Sequence, residues 1–559
     1  MSQLSQAGRL GRLWRTVRHL KPIQIVGRAH FLWNRPHVNL RPAPPLRAAS
    51  GAWMPPAARE ASLLGPMRLR FLSVERGLDD CGWDQPQVER LWRYNQHYFD
   101  DLNAQGAAQR RHWQRELLCR WLAQNPPALG TGWEPYPVSL RTVNWIKWFL
   151  TGNAPEPDWL HSLAVQVRWL RRRLEWHLLG NHLFVNAKAL VFAGLYFDGD
   201  EAREWLTCGL RILERELPQQ ILADGGHFER STMYHALALE DLLDLLNLVA
   251  ARGDAGSPAQ RLMPGLRQHA AAMLHWLRCM SHPDGTIGLF NDAAQGIAPD
   301  NTELEALAAR LGISASPAPA DGLADLAVSG YVRAARGAAV ALLDLAPIGP
   351  DYLVGHAHAD SLAFELSLHG RRVIVNGGTS CYGLGEQRLR ERGTAWHSTV
   401  QLAGDNSSEV WSGFRVGRRA RITERRLQGW TVTGAHDGWR HLRDAPVHRR
   451  AWTLNTDALL VDDQLMPAAP DGLPAVARFH LAPGLTLVPA DRPGRWAVKH
   501  EQRTLAMVDV EVGDGAVVDS RHAPRFGVLQ SAQALAVTLR DGHARTCWHW
   551  SPDAHPVSH

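Results

Sequence analysis

Between residues 85 and 312 the apolar positions recur with a period near 3.6, the spacing of one face of a helix. The segments 87–102, 112–124, 139–151, 158–178, 182–197, 201–217, 232–251, 258–280 and 302–311 all carry it. Their connectors hold Gly, Pro, Asn or Asp, as at Gly180-Asn181, Asp224-Gly225-Gly226 and Pro283-Asp284-Gly285, which stop helices and turn the chain. Consecutive helices on short links predict antiparallel hairpins. Near Ser314-Ala315-Ser316-Pro317 the period changes. Beyond it the runs 338–345, 362–368, 372–376, 421–427, 458–465, 475–481 and 506–512 alternate with period two and end at Gly, Pro or Asp, an all-β pattern. The expectation is an α+β chain of several domains, helical first and antiparallel β second, divided as 1–84, 85–320 and 321–559. The first segment reads as a basic arm followed by an irregular, proline-rich wrap.

A chain of 559 residues is too long for one core. Its six cysteines lie far apart with no CxxC pair, which excludes a disulfide framework or zinc knuckle and leaves reduced thiols. The formal charge of +6 is local, because residues 1–50 carry nine Arg or Lys and no Asp or Glu, and the remainder has 52 basic against 55 acidic residues. A near-neutral body with a short basic arm is a poor nucleic-acid binder. In the arm Leu10, Leu13, Trp14 and Val17 share a helical face from which Arg9, Arg12 and Arg15 are largely absent. The expectation is a helix docked on the body through that apolar stripe, with peripheral contact to an anionic membrane as the alternative. No apolar run approaches a transmembrane segment, and the first thirty residues lack the apolar stretch of a signal peptide. The expected compartment is therefore the cytoplasm, with the periplasm requiring an unrecognised route.

Candidate chemistry centres on Gly355-His356-Ala357-His358-Ala359-Asp360. Two histidines two residues apart point the same way in extended chain, so one imidazole can move protons and the other bind a metal. An isolated pair of this kind is more often structural than catalytic. Gly180 and Asn181 have the residue types of a helix C-cap and N-cap, and an amide beside His182 also suits a carboxylate. Tyr234 falls in the first turn of a helix that Ser231 or Thr232 can cap. The stretch Trp133-Glu134-Pro135-Tyr136, with Arg141 and Asn144, mixes aromatic faces for sugars with a guanidinium for carboxylates.

In that order, Asn181-His182, the Tyr234 segment, His356-Ala357-His358 and the region from Arg392 to His397 resemble the heparinase II/III family of polysaccharide lyases, with alginate-lyase relatives. The resemblance covers residues 85–430 well and the remainder loosely. It implies an N-terminal incomplete α/α toroid followed by a C-terminal antiparallel β-sandwich, with the active cleft between them. It implies that Asn181 neutralises a uronate carboxylate beside His182, that Tyr234 is a general acid and sometimes also the base, and that His356 is the cleft histidine of the β half. Trp133, Tyr136, Arg141, Asn144, Arg230 and Arg392 are the expected substrate-binding residues. His358 and His397 match metal-binding histidines, but the aspartate that completes the set in relatives is Asn376 here. An amide is a weaker ligand than a carboxylate, so no cofactor is required and a structural zinc is in doubt.

The expected reaction is removal of the C5 proton of a hexuronate and expulsion of O4, on an acidic polysaccharide. Two alternatives stay open. A C5-epimerase would return the proton to the opposite face, and a non-catalytic glycan-binding protein of an exopolysaccharide system would use the cleft without turnover.

Overall fold

The computed structural model describes residues 6–468 and 473–551. The outermost residues of the first and last expected domains, 1–5 and 552–559, lie outside the described residues.

In residues 1–84 the proline-rich stretch 42–56 is irregular, as expected, but the wrap does not extend over the whole segment. The segment also contains helix α1 (Gln6–Val17), helix α2 (Pro22–Trp33) and a three-stranded antiparallel sheet of Leu63–Gly65, Arg68–Phe71 and Val74–Gly77. The docking of α1 is the reverse of the expectation. Arg12 and Arg15 face the body and clasp Glu409 (Nε–Oε distances of 3.0 and 2.9 Å), while Leu10 and Trp14 stand out in solvent. The reason is chemical: the surface beneath α1 offers a carboxylate and the Trp411 indole N–H rather than an apolar groove.

The helical half is built from α3 (Arg111–Gln124), α4 (Pro135–Leu150), α5 (Pro157–Arg171), α6 (Gly180–Tyr196), α7 (Asp200–Gln220), α8 (Thr232–Arg252), α9 (Pro258–Cys279) and α10 (Asn301–Arg310). Neighbours in sequence pack against one another, as α6 does on α7 and α8 on α9, and the ring they make is an incomplete α/α toroid. Its core is rich in tryptophan, with Trp121, Trp145 and Trp159 fully buried. At its centre Asp244 accepts from Lys147 Nζ at 2.9 Å and Lys188 Nζ at 2.7 Å. Buried ions are tolerated because they are paired.

Among the described residues the strands of the β half pair antiparallel, in sheets of five, four and eight strands and one two-stranded ribbon, with one isolated parallel bridge between Gly378 and Ala523. The five-stranded sheet runs in chain order from Gly322–Leu326 to Arg371–Ile374. Ala339–Asp344 is buried on both faces and reads as a nearly continuous apolar run, whereas Phe364–Leu368 alternates in sequence yet is equally buried, because its Glu365 and Ser367 side chains are met inside by His282. Phe364, Trp452, Phe479 and Trp548 fill the sandwich core. The segment carrying His356 and His358 is a loop between Ala339–Asp344 and Phe364–Leu368, on the side that faces the toroid.

Candidate active site

A cleft of about 1650 Å³ separates the two halves, and Asn181, His182, Tyr234 and His356 all line it. The first two sit in the opening turn of α6. Leu179 (φ 60°), just before the helix, and Gly180 (φ 51°), its first residue, both have positive φ. Glycine suits position 180 because side-chain-bearing residues rarely adopt that φ, and an added Cβ would also press on Leu353 Cδ2 and Glu229 Oε1 at 2.2 and 3.0 Å. The expected capping roles do not hold. The helix begins at Gly180 itself, and Asn181 lies inside it. Its side-chain amide donates to the Tyr136 hydroxyl at 3.1 Å.

His182 is oriented by Glu175, whose Oε1 lies 3.1 Å from its Nδ1. Burial pulls the His182 pKa down, but Glu175, with Glu229 and Glu134, outweighs it and leaves it raised. Tyr136 closes its ring on His182 with centroids 4.6 Å apart. Asn181 and His182 therefore offer an amide and an imidazole whose protonated form Glu175 favours.

Tyr234 is placed by the N-terminus of α8, where the Ser231 hydroxyl accepts from the Tyr234 backbone N–H at 3.2 Å. Its hydroxyl pairs with that of Tyr382 at 3.1 Å. Burial, reinforced by Tyr382, pushes its pKa well above the usual phenol range, so it is a neutral acid at physiological pH. Across the domain boundary its ring lies on that of His356, centroids 4.0 Å apart.

The two histidines of the β-half loop do point the same way, and one carboxylate spans both. Asp292 Oδ2 lies 2.8 Å from His356 Nδ1, and Oδ1 lies 2.8 Å from His358 Nε2. Arg388, fully buried, holds the same carboxylate through NH2 at 2.7 Å and through a second contact from NH1. Burial would raise the Asp292 pKa, but Arg388 and the two histidines hold it well below the carboxylate range. The ionised Asp292 takes the Nδ1 proton of His356 as a hydrogen bond and leaves the Nε2 lone pair free. That Nε2 is 3.7 Å from Glu229, a buried carboxyl whose pKa is raised by burial against the pull of His356.

Among the expected substrate-binding residues, Tyr136 and Asn144 line the cleft. Asn144 is held by the Tyr98 carbonyl and by Asp100. The other four do not face it. Trp133 is buried and donates to Asn125 O. Arg141 is fully buried, stacked on Trp121, with donors spent on Gln166 and two backbone carbonyls. Arg230 turns away to Ser329 O. Arg392 binds Ala357 O from Nε and NH2 at 3.1 and 2.9 Å, so it clamps the loop that presents His356.

The expected metal site takes a different form. Burial pulls the His358 pKa down to about 4 and that of His397 well below its usual range, so both are neutral, as ligands must be. Their facing nitrogens, His358 Nδ1 and His397 Nε2, are 3.2 Å apart. Because Asp292 holds the His358 Nε2 proton, one proton on His397 satisfies the pair. Asn376 adds no charge: its carbonyl meets the Ser398 N–H at 3.4 Å and its amide nitrogen has no partner. Among the described residues no group of three His, Cys, Asp or Glu side chains converges to hold a metal. Two imidazoles and an amide do not fit a closed structural zinc site, which takes four ligands.

Asp292, Glu175, Glu229 and Tyr382 are site residues that the sequence reading left without a role. Only a buried HxH pair in need of an anion pointed towards Asp292, and nothing in its spacing located it.

Comparison with known proteins follows the same architecture. Residues 97–304 match the family model described as Heparinase II/III N-terminus, and residues 318–551 match Heparinase II/III-like, C-terminal. FtsZ-localized protein C of Caulobacter vibrioides is 27% identical over 464 residues, 77% of this chain and 76% of that protein. Heparin-sulfate lyase of Bacteroides stercoris is 25% identical over 314 residues, 50% of this chain and 45% of that enzyme. Thus the chain spans less than half the length of this lyase. In fold, the crystal structure of heparinase III superposes with a TM-score of 0.62 at 19% identity, over 83% of this chain and 77% of that one. Heparan sulfate lyase from Pedobacter heparinus superposes with a TM-score of 0.53 at 19% identity, over 88% and 82%. With both halves matched in order, the chain belongs to the heparinase II/III-like family.

Proposed function

We propose that this protein is a polysaccharide lyase that cleaves a uronate-containing polymer by β-elimination. The observation that carries this reading is the convergence of Asn181, His182, Tyr234 and His356 on one cleft, with the Tyr234 ring against His356. Asn181 and His182 bind the uronate carboxylate and stabilise the charge that develops when C5 is deprotonated. His356 Nε2 takes the C5 proton. The C–H electron pair becomes the C4=C5 double bond, the C4–O4 bond breaks, and O4 takes the Tyr234 phenol proton. Tyr234 then recovers a proton from His356, directly or through water. Each positioned acid or base contributes roughly 10²–10⁴ in rate. No metal enters these steps.

The adjacency of base and acid favours the lyase over the epimerase. Both groups approach the sugar from one face, whereas epimerisation needs a proton donor on the opposite face of C5. One-face elimination requires the C5 hydrogen and O4 on the same side of the ring, as in D-glucuronate and D-mannuronate. The lining carries nine Lys or Arg against ten Asp or Glu. A balanced cleft suits a polymer of low charge density better than a densely sulfated one. Assays of unsulfated and sulfated D-glucuronate polymers, read by the ultraviolet absorbance of the unsaturated product, test the reading. Absence of that chromophore on every uronate polymer would reject it.

A further inference from the structure

The helices α1 and α2 are mounted inside out. A surface helix ordinarily buries its apolar stripe and shows its charges to water. Here the inward face is polar or small. Arg12, Arg15 and Thr16 of α1 engage Glu409 and Trp411. Gln24 of α2 donates to the Tyr352 carbonyl at 3.1 Å, and Gly27 sits against the backbone of Trp176 and His177. Phe31 alone turns a large apolar ring inward, on His177 at 4.3 Å. The outward faces of the two helices carry Leu10 and Trp14 on α1 and Ile25, Val26, Leu32 and Trp33 on α2. All six are more than half exposed, Trp14 at 64% and Trp33 at 83%. The spacings 10/14, 25/32 and 26/33 put them on continuous helical rows. None of the six lines the cleft.

We infer that this face docks on an anionic lipid bilayer. Soluble monomers rarely leave such an apolar patch uncovered, and the charge around it selects the occupant. Arg9, Arg18 and Arg35 are exposed beside it, and residues 1–50 contain no Asp or Glu. A second copy would bring two basic patches together, which repel; an anionic headgroup layer neutralises them while the apolar side chains enter the acyl boundary. Tryptophan is the residue most suited to that boundary. Among the described residues no helix is long and apolar enough to cross a membrane, so the contact is peripheral. Leu13, Val17 and Leu20 continue from this region to the rim of the cleft, so docking brings the cleft mouth to the bilayer.

The test is co-sedimentation of the full chain with phosphatidylcholine vesicles, with and without about 30% phosphatidylglycerol. Wild-type protein should pellet with the anionic vesicles and largely stay in solution with the neutral ones. The double variant Trp14→Ser/Trp33→Ser keeps the Glu409 clasp and should retain its melting temperature while losing binding by at least about tenfold. Failure of wild type to bind anionic vesicles would overturn the inference, as would undiminished binding by a folded double variant. A wild-type dimer by light scattering that the double variant abolishes, without vesicle binding, would assign the face to a second copy instead.

Discussion

The aromatic ring of Tyr234, from the helical half, lies on the imidazole of His356, from the β half, with centroids 4.0 Å apart and planes inclined by 32°. The proposed acid and the proposed base thus come from different halves. The cleft chemistry therefore depends on how the two domains are held together. Arg392 on Ala357 O and Arg388 on Asp292 fix the loop that carries His356, and the Ser231 cap fixes Tyr234.

Tyr234→Phe removes one hydroxyl whose hydrogen-bond partner among the described residues is the Tyr382 hydroxyl. The expected outcome is a fall of roughly 10²–10⁴ in kcat with little change in KM. The melting temperature should change by a few degrees at most. Steady-state kinetics and a thermal melt on the same preparation check it. A folded variant with full turnover removes Tyr234 from the chemistry.

Asp292→Asn should cost both activity and stability. The substitution leaves Arg388 buried without its carboxylate and turns one of the two acceptor oxygens into an NH2 donor, so His356 and His358 no longer both have an acceptor. Breaking a buried ion pair from one side costs about 3–5 kcal/mol, measurable as a lower urea midpoint. The native pKa of Asp292 is depressed, so its contribution to stability is present above the unfolded carboxylate range and lost as pH falls through the native value. Wild-type stability should therefore fall on acidification, and the variant should show less of that slope.

His182 has the opposite sign. Its native pKa is raised, with Glu175 overcoming burial. The imidazolium and its ion pair are fully present below the unfolded value and fade as pH rises through the raised native one. The expected KM for a uronate polymer rises roughly tenfold across that alkaline limb, the size of one hydrogen bond to a charged group. Glu175→Gln keeps an acceptor for Asn186 Nδ2 but removes the charge, so the limb should move to lower pH. An unmoved limb would show that another group sets it.

Chelation should change little. The His358–His397 pair lacks an anionic third ligand. Protein purified without chelator should carry zinc well below one equivalent by elemental analysis. Its melting temperature should be unaffected by EDTA. One tightly held zinc per chain would show that Asn376 serves as a ligand after all.

Much of the architecture was legible because periodicity survives without context. Helix 201–217 of the sequence reading is Asp200–Gln220, and strand 458–465 is Ala458–Met466. Strands such as Leu485–Pro489 and Asp514–His522 were not read, because their polar and exposed residues give no clean alternation. Four cleft residues were found through motif order. Arg141 and Arg392 misled because an arginine beside aromatics looks the same in sequence whether it meets a substrate or backbone carbonyls. Asp292 was invisible because it sits in an aperiodic loop 64 residues before His356. Only the fold brings it to the histidines. The direction of α1 is not legible for a related reason: an amphipathic pattern gives the two faces but not the surface beneath them.

The most direct test of the account is the product of the purified chain acting on unsulfated polymers, D-glucuronate-containing in one assay and L-iduronate-containing in another. Absorbance of the C4=C5 product reports elimination. With acid and base on one face, absorbance should rise on the D-glucuronate polymer, stay near baseline on the L-iduronate polymer, and vanish on both with Tyr234→Phe. Equal rates on the two polymers would contradict the one-face geometry. No absorbance on either, with a folded wild-type protein, would contradict the lyase itself.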